Sequence, residues 1–362
     1  KWLYQHAWSK VNRHYKDFGI NASSHQELTE QLGILKYGHR PRVADTFSGG
    51  GSIPFEAARL GCDVYASDLN PVACMLTWSA FNIIGASKAK QETIADLQSK
   101  SVKNIEEEIL ELGIETDEMG NRAKGFLYCL ETVCPHTGWT VPLATSWVIS
   151  KRRKIIAKLV PNIIDKEFDI DVVNHASPED MKTASKGTVR DGALVYSLNG
   201  KQYRTPIKTI RQDYKDQDGN IKNQLRHWGV DEFTSRQDDI FTERLYAIHW
   251  ISENSFGSNR EETYFSSVTK QDFERESKVI GYIEENIANW QDLSLLPNMH
   301  IENGYNTDQP IRERGWKYWH QLFNPRQLLI HVISKKYLNS PYLVPGFFNA
   351  LNWNARLSVW RS

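Results

Sequence analysis

Asp45-Thr46-Phe47-Ser48-Gly49-Gly50-Gly51-Ser52-Ile53-Pro54-Phe55-Glu56-Ala57 is the stretch that decides how this chain is read. It follows a brief apolar run, Val43-Ala44, which reads as a buried strand cut short by a glycine turn. Three consecutive glycines let the backbone turn with positive φ and leave bare main chain for a ligand to approach. Pro54 falls early in the helix that follows, where a missing N–H costs nothing, and Gly61 stops that helix. Asp63-Val-Tyr-Ala-Ser-Asp68 is a second short strand, and a helix runs from about Pro71 to Phe81. Strand, turn, helix, strand, helix is the opening of a doubly wound α/β sheet.

Upstream, Leu3, Ala7, Val11, Tyr15 and Phe18 recur at helical steps and predict an amphipathic helix over about Trp2 to Phe18. Ser24 followed by Glu27 is a capping-box pattern. Downstream, Ile94, Leu97, Ile105, Ile109 and Leu112 stripe a long charged helix from about Ser87, with Glu106-Glu107-Glu108 on its solvated face. From about Gly125 to Leu225 the pattern changes to short strand-like runs, Leu194-Val-Tyr-Ser and Tyr203-Arg-Thr, with the turn dipeptides Asn199-Gly200 and Asp218-Gly219. A helix from about Gln271 to Trp290 follows, and Trp316 to Trp360 reads as mainly helical and aromatic. The expected organisation is a helical segment over 1–40, an α/β core with its long helix over 41–115, an inserted β-rich subdomain over 116–235, and a mainly helical region over 236–362.

With 362 residues the chain can bury a sizeable core. The formal net charge is +0, so any nucleic-acid contact must come from local patches. No apolar run is long enough to span a membrane. Four cysteines, irregularly spaced, do not make a disulfide framework, and a cytoplasmic setting is the natural expectation. The start at Lys1 and the stop at Ser362 read as a fragment of something longer.

In a dinucleotide site the glycine turn would hold a pyrophosphate at the helix start. That reading wants Gly-x-Gly-x-x-Gly, and Pro54 stands where the third glycine belongs. A nicotinamide-dependent oxidoreductase is disfavoured for that reason. Phe47-x-Gly-x-Gly fits an S-adenosylmethionine (SAM) half-site, in which the turn cradles the methionine part and the ribose. Asp68, at the end of the next strand, can accept hydrogen bonds from both ribose hydroxyls.

Asp45 through Ala57, with Ala66-Ser-Asp-Leu-Asn-Pro-Val-Ala73, closely resembles the large adenine-specific DNA methylases described as containing a zinc-ribbon domain. Further likenesses are Cys134-Pro-His-Thr-Gly-Trp-Thr-Val-Pro-Leu, Gly187-Thr-Val-Arg, Asp213-Tyr-Lys-Asp, Asp238 through Tyr246, Trp316 through Leu328, and Asn354 through Trp360. The resemblance implies an incomplete Rossmann-like SAM-dependent methyltransferase core, with Asp45, Phe47, Ser48, Gly49, Gly50, Gly51, Asp68, Leu69 and Asn70 around the cofactor. It implies action on double-stranded DNA in bacteria or archaea, often beside restriction or antiviral defence genes.

Two departures stand out. A zinc ribbon needs four ligands, usually two Cys-x-x-Cys knuckles. Thr137 stands where the partner of Cys134 belongs, and 193–204, where the second knuckle is expected, has no cysteine. Cys129 and His136 do not complete the set, so no bound metal is expected. The second departure is the adenine-methylating Asp/Asn-Pro-Pro-Tyr/Phe motif, which would hold the exocyclic amine and stack on a flipped base. No Pro-Pro occurs. Asn339-Ser340-Pro341-Tyr342 is the nearest likeness, so Asn339 and Tyr342 are the catalytic candidates, against the plainer reading of a helix-ending loop. The motif is otherwise expected on another polypeptide or a missing C-terminal region.

Lys151-Arg152-Arg153-Lys154 is the densest basic cluster and the expected phosphate contact; Arg211, Arg226 and Arg236 add charge near Tyr214 and Trp228. The expectation is thus the SAM-binding and recognition part of a DNA adenine methyltransferase. Its rivals are a methyltransferase of RNA or a small molecule and a non-catalytic nucleic-acid-binding subunit of a defence complex.

Overall fold

The computed structural model describes residues 2–305 and 307–356, with side chains from residue 5 onward. The Leu3 side chain of the expected stripe and residues 357–360 of the C-terminal likeness lie outside it. The chain is mixed α/β and divides into two compact units, Lys1–Lys103 with Leu338–Asn349, and Asn104–Tyr337 with Ala350–Ser362.

The first unit begins with α1 (Trp2–His14) and α2 (His25–Tyr37). Ser24 caps α2 by accepting the Glu27 N–H at 3.2 Å. The Glu27 carboxylate reaches back to the N–H and hydroxyl of Ser23 at 2.7 and 2.9 Å, one residue upstream of the reciprocal bond expected. Next come β1 (Arg42–Asp45), α3 (Ser52–Arg59), β2 (Asp63–Ala66), α4 (Pro71–Ser79), a single π turn over Ala80–Ile84, and α5 (Lys88–Leu112), whose last part belongs to the second unit. The two strands pair in parallel, Arg42 opposite Asp63 and Asp45 opposite Ala66, so β1, α3 and β2 form a βαβ unit. Pro54 lies in the first turn of α3, where its missing N–H is harmless.

The expectation of buried strands needs correction here. The sheet has two strands only, Val43 and Val64 are half-buried, and Ala44, Tyr65 and Ala66 are exposed. Parallel sheets are ordinarily covered on both faces by their crossover helices. With one crossover, α3, packed on the pair and no third strand joined to it among the described residues, its residues are at most half-buried.

The second unit is built on a seven-stranded mixed sheet. Its strands are β3 (Arg122–Val133), β4 (Thr140–Leu143), β5 (Val148–Ser150), β6 (Ile155–Asn162) and β7 (Glu167–Val173). After α6 (Pro178–Ala184), a smaller sheet forms from β8 (Val189–Arg190), β9 (Ala193–Leu198) and β10 (Lys201–Pro206). The turn α7 (Ile207–Ile210) and the ribbon of β11 (Tyr214–Lys215) and β12 (Ile221–Lys222) lead to β13 (Thr242–Ile251) and β14 (Thr263–Ser267). These last two strands fall in the stretch read from sequence as mainly helical, and they rejoin the large sheet in the order β14-β13-β3-β4-β7-β6-β5. Then follow α8 (Lys270–Asp292), α9 (Asp308–Arg314), α10 (Pro325–Lys336) and α11 (Val344–Trp353), whose first part belongs to the other unit.

The β9–β10 hairpin shows why its strands were legible. Asn199 and Gly200 both take positive φ, 51° and 75°, and Leu198 pairs with Lys201, as in a type I′ turn. One core packs Trp147, Ile149, Ile156 and Ile170 on the large sheet, and another packs Val279, Ile283 and Trp290 of α8 against Leu328, Leu329 and Ile333 of α10. No helix among the described residues is long and apolar enough to cross a membrane.

Candidate functional site

The glycine turn connects β1 to α3, and its shape is set by three backbone bonds. Ser67 donates its N–H to the Asp45 carbonyl at 2.9 Å, Ser48 donates to the Ser67 carbonyl at 3.1 Å, and Gly51 donates to the Ser48 carbonyl at 2.8 Å. The turn is thereby laced to the end of the neighbouring strand. Gly49 and Gly51 take φ of 51° and 83°, a region that side chains disfavour. A Cβ on Gly51 would also lie 2.8 Å from the Thr77 hydroxyl oxygen. Gly49 and Gly50 instead face open space, with nothing within 4 Å of where a Cβ would stand.

Asp68 closes the arrangement. One carboxylate oxygen accepts the Gly49 N–H at 2.9 Å, and the other accepts the Asn70 N–H at 2.8 Å. The N–H groups of Asn70 and Gly49 hold this carboxyl below the usual carboxylate range. A carboxylate has about four lone-pair positions, so acceptor capacity remains on both oxygens. Asn70 itself caps α4, its side chain accepting the Val72 N–H at 2.9 Å, with Pro71 in the first helical position. Asp45 accepts the Phe47 N–H at 3.2 Å. Phe47 and Leu69 are 77% and 91% exposed, two apolar side chains flanking a polar turn.

The structure therefore brings Asp45, Phe47, Ser48, Gly49, Gly50, Gly51, Asp68, Leu69 and Asn70 into one locality. Sequence reasoning missed Thr77, which is buried beneath Gly51 and donates to the Ser48 hydroxyl at 3.4 Å. Its signal was available: Ala73 and Thr77 are small residues one helical turn apart, and both are buried. A pocket of about 530 Å³ meets the turn at Ser48 and is walled by Val64, Ala66, Met75, Trp78 and Phe81. Asp68 and the glycines do not line it.

Asn339 lies in the loop directly after α10, so a helix and not a strand leads into it. Tyr342 sits in the first unit with its ring 5.3 Å from that of Trp78 and under the Lys90 ammonium at 4.6 Å.

The basic cluster is divided by its geometry. It forms the turn between β5 and β6, with Lys154 at φ 53°. Arg153 donates to the carbonyl and hydroxyl of Thr263, both at 2.7 Å, and so ties this turn to β14. Lys151, Arg152 and Lys154 remain exposed. Arg211 is held bidentately by Asp213, Arg226 by Asp239 and Glu232, and Arg236 by Glu232. Arg211 and Arg226 are thus tied down within the fold, while Arg236 stays exposed with its charge paired to Glu232.

The knuckle at Cys134 is a turn in which Gly138 donates to the Cys134 carbonyl at 2.8 Å. Cys134 is fully buried, its sulfur 3.7 Å from the Thr205 hydroxyl. Thr137 shares a 2.6 Å hydrogen bond with the Tyr196 hydroxyl on β9. Trp139, Val141, Phe168 and Leu194 pack around it, so the knuckle and the hairpin are joined by side chains. Among the described residues no three His, Cys, Asp or Glu side chains gather as a metal site.

No protein-family model, curated protein or solved structure matches this chain.

Proposed function

We propose that the glycine turn and Asp68 bind SAM, and that the chain is the cofactor-binding and target-recognition part of a DNA adenine methyltransferase. The observation carrying this reading is the Asp68 carboxylate, tied to Gly49 and Asn70 at the ends of two parallel strands, with acceptor capacity to spare. The residues fit the ligand. Open space over Gly49 and Gly50 admits the methionine backbone, Asp68 accepts the ribose hydroxyls, and exposed Phe47 and Leu69 offer apolar contact to a planar base.

When bound, SAM supplies an electrophilic methyl group on a sulfonium. The residues of this chain hold and orient it, while Thr77 and Ser48 fix the turn from beneath. The base-holding Asn/Asp-Pro-Pro-aromatic motif is not in this sequence, and another segment or polypeptide supplies it under this proposal. The two-stranded sheet, whose residues are at most half-buried, supports that assignment, because a doubly wound core needs further strands beside these. Lys151, Arg152 and Lys154 are the residues offered to phosphates.

Calorimetric titration with SAM tests the cofactor reading. Binding should appear with the native chain and weaken at least about tenfold in Asp68→Ala, the scale of one lost charge-assisted hydrogen bond. Equal binding by both proteins, or none by either, removes the proposal. Incubation with labelled SAM and either duplex DNA or structured RNA should give no transfer by this chain unaided. Transfer to DNA would place the catalytic groups within it, with Asn339 and Tyr342 to be tested first, and transfer to RNA alone would change the substrate class.

A further inference from the structure

A cavity of about 180 Å³ lies wholly in the second unit, lined from β3 and α10. Its wall includes Glu115, Tyr128, Ile330 and Asn354. Glu115 stands on fixed backbone. Its carbonyl accepts the Ala123 N–H at 2.8 Å, and the turn beyond it is closed by the Asp117 carboxylate, which accepts the Asn121 N–H at 2.8 Å. The Glu115 side chain is half-buried, yet its carboxylate makes no hydrogen bond or ion pair with any described residue. Its oxygens are not shut off from solvent, so an occupant of the cavity can reach them. The other charges around it are matched: Arg326 is bonded to Glu276, Arg122 to Glu106, and Lys124 to Glu261 at 3.0 Å. Glu115 is the carboxylate left over. Burial pushes its carboxyl up, opposed by the Arg326 and Arg122 charges across space. Polar groups withdrawn from water are ordinarily hydrogen-bonded, so a carboxylate in a cavity with no partner is a specific anomaly.

We infer that this cavity binds a guanidinium group, which gives two parallel N–H bonds to the Glu115 carboxylate. Two free oxygens on one carboxylate match the planar guanidinium fork, whereas an ammonium offers a single point charge. An anion would meet the leftover negative charge and be repelled. The half-buried Tyr128 and Ile330 wall the planar body of the group. The Asn354 side-chain oxygen is a further acceptor, since its amide nitrogen is already spent on the Ala350 carbonyl at 3.1 Å. The volume falls below the range of about 300–1,000 Å³ that takes drug-sized molecules, so the cavity suits one small group and not a nucleoside. A free guanidino compound and an arginine side chain of a peptide share this chemistry. This inference does not rest on the SAM reading, since none of its residues belongs to the glycine turn.

Calorimetry of the full chain with methylguanidinium, methylammonium, guanosine, L-arginine and N-acetylarginine amide is the test. Methylguanidinium should bind at least about tenfold more tightly than methylammonium, the scale of one further charge-assisted bond. Glu115→Gln keeps the side-chain volume and should weaken methylguanidinium at least about tenfold. Its melting temperature should stay at or above the native value, because the leftover charge holds nothing in the fold. Glu118→Gln, exposed and outside the cavity, should leave binding unchanged. Tighter binding of N-acetylarginine amide than of L-arginine assigns the group to a peptide, and the reverse order assigns it to a free compound. Binding must also persist in Asp68→Ala and in excess SAM, which separates this cavity from the cofactor site. No methylguanidinium binding by folded protein, equal binding of methylammonium, preference for guanosine, or indifference to Glu115→Gln would overturn the inference. So would a lowered melting temperature in that variant, which would make Glu115 a structural partner of Arg326 and Arg122.

Discussion

The two compact units hold themselves together by different means. In the first, the parallel pair β1–β2 leaves Tyr65 63% exposed, and buried apolar side chains such as Trp8, Ile20, Ala73 and Ile94 are scattered along the sequence. Order at its turn comes from hydrogen bonds running between Asp45, Ser48, Ser67 and Asp68. In the second, β3 and β13 pair along nearly their full lengths, from Thr242 opposite Glu131 to Ile251 opposite Arg122. Ion pairs are sunk into that unit: Arg326 with Glu276, Arg244 with Glu131 at 2.9 Å, and Arg356 with Glu243 at 3.1 Å. A hydrogen-bonded turn tolerates being wet, whereas a buried ion pair tolerates no missing partner. Substitutions should therefore be felt mainly in stability in the second unit and mainly in ligand binding in the first.

Arg326→Ala should give the largest loss. The guanidinium is 3% exposed, donates its Nε to Glu276 at 2.8 Å and a terminal nitrogen to the Ile114 carbonyl at 2.9 Å, and covers the Phe126 ring. Removing it strands Glu276 and should cost about 3–5 kcal/mol in chemical denaturation. A loss under about 1 kcal/mol would show that this pair is not the anchor described.

Gly187→Ala comes next. The residue has φ 60°, and a Cβ would land on the carbonyl of Ala144 and the backbone of Thr145. A loss of about 3 kcal/mol is expected, since neither neighbour is a flexible side chain. An unchanged melting temperature would contradict that close packing.

Acid should act on the second unit with a smaller effect. Burial first, then Arg153 and Lys124, push His249 down to about 4. A histidine depressed in the folded state contributes stability that is fully present above its unfolded pKa, about 6.5. That contribution is lost as pH falls from there through about 4. Burial also lowers His227, His320 and His331, with the same sign. For half-buried His249 the share is about 1–2 kcal/mol after solvent screening, and His249→Gln should flatten the pH dependence of stability by that amount. A profile of the same slope in the variant would assign acid sensitivity elsewhere.

Gly50→Ala marks the small end. Nothing lies within 4 Å of its Cβ position, so stability should move by less than about 0.5 kcal/mol. Under the proposed function SAM affinity should nevertheless fall, because the methyl would occupy the cradle. A large stability loss with intact SAM binding would reverse the contrast between the units.

The same contrast explains what could be read in the residue string. Asp45 to Asp68 was legible because its determinants are local: glycines needing positive φ, a proline in a first helical turn, Asn70 and Pro71 at a helix start. The β9–β10 hairpin was legible for the same reason, through Asn199-Gly200. The seven-stranded sheet was not. Residues 242–251 pair with residues 122–131, more than a hundred positions away, and no local periodicity announces a partner so distant. Burial of the first strands was misjudged because Val43-Ala44 carries the composition of a covered strand, while Val43 is half-buried and Ala44 exposed. In the basic cluster, composition could not separate Arg153, spent on Thr263, from its three exposed neighbours.

The bond between Thr137 and Tyr196 joins two segments 59 positions apart, so it forms only once both have been made. Two hydroxyls 2.6 Å apart and the aromatic cluster around them hold the knuckle to the hairpin. Cys134, sealed from solvent beside that bond, is shielded from oxidants that would attack an open thiolate.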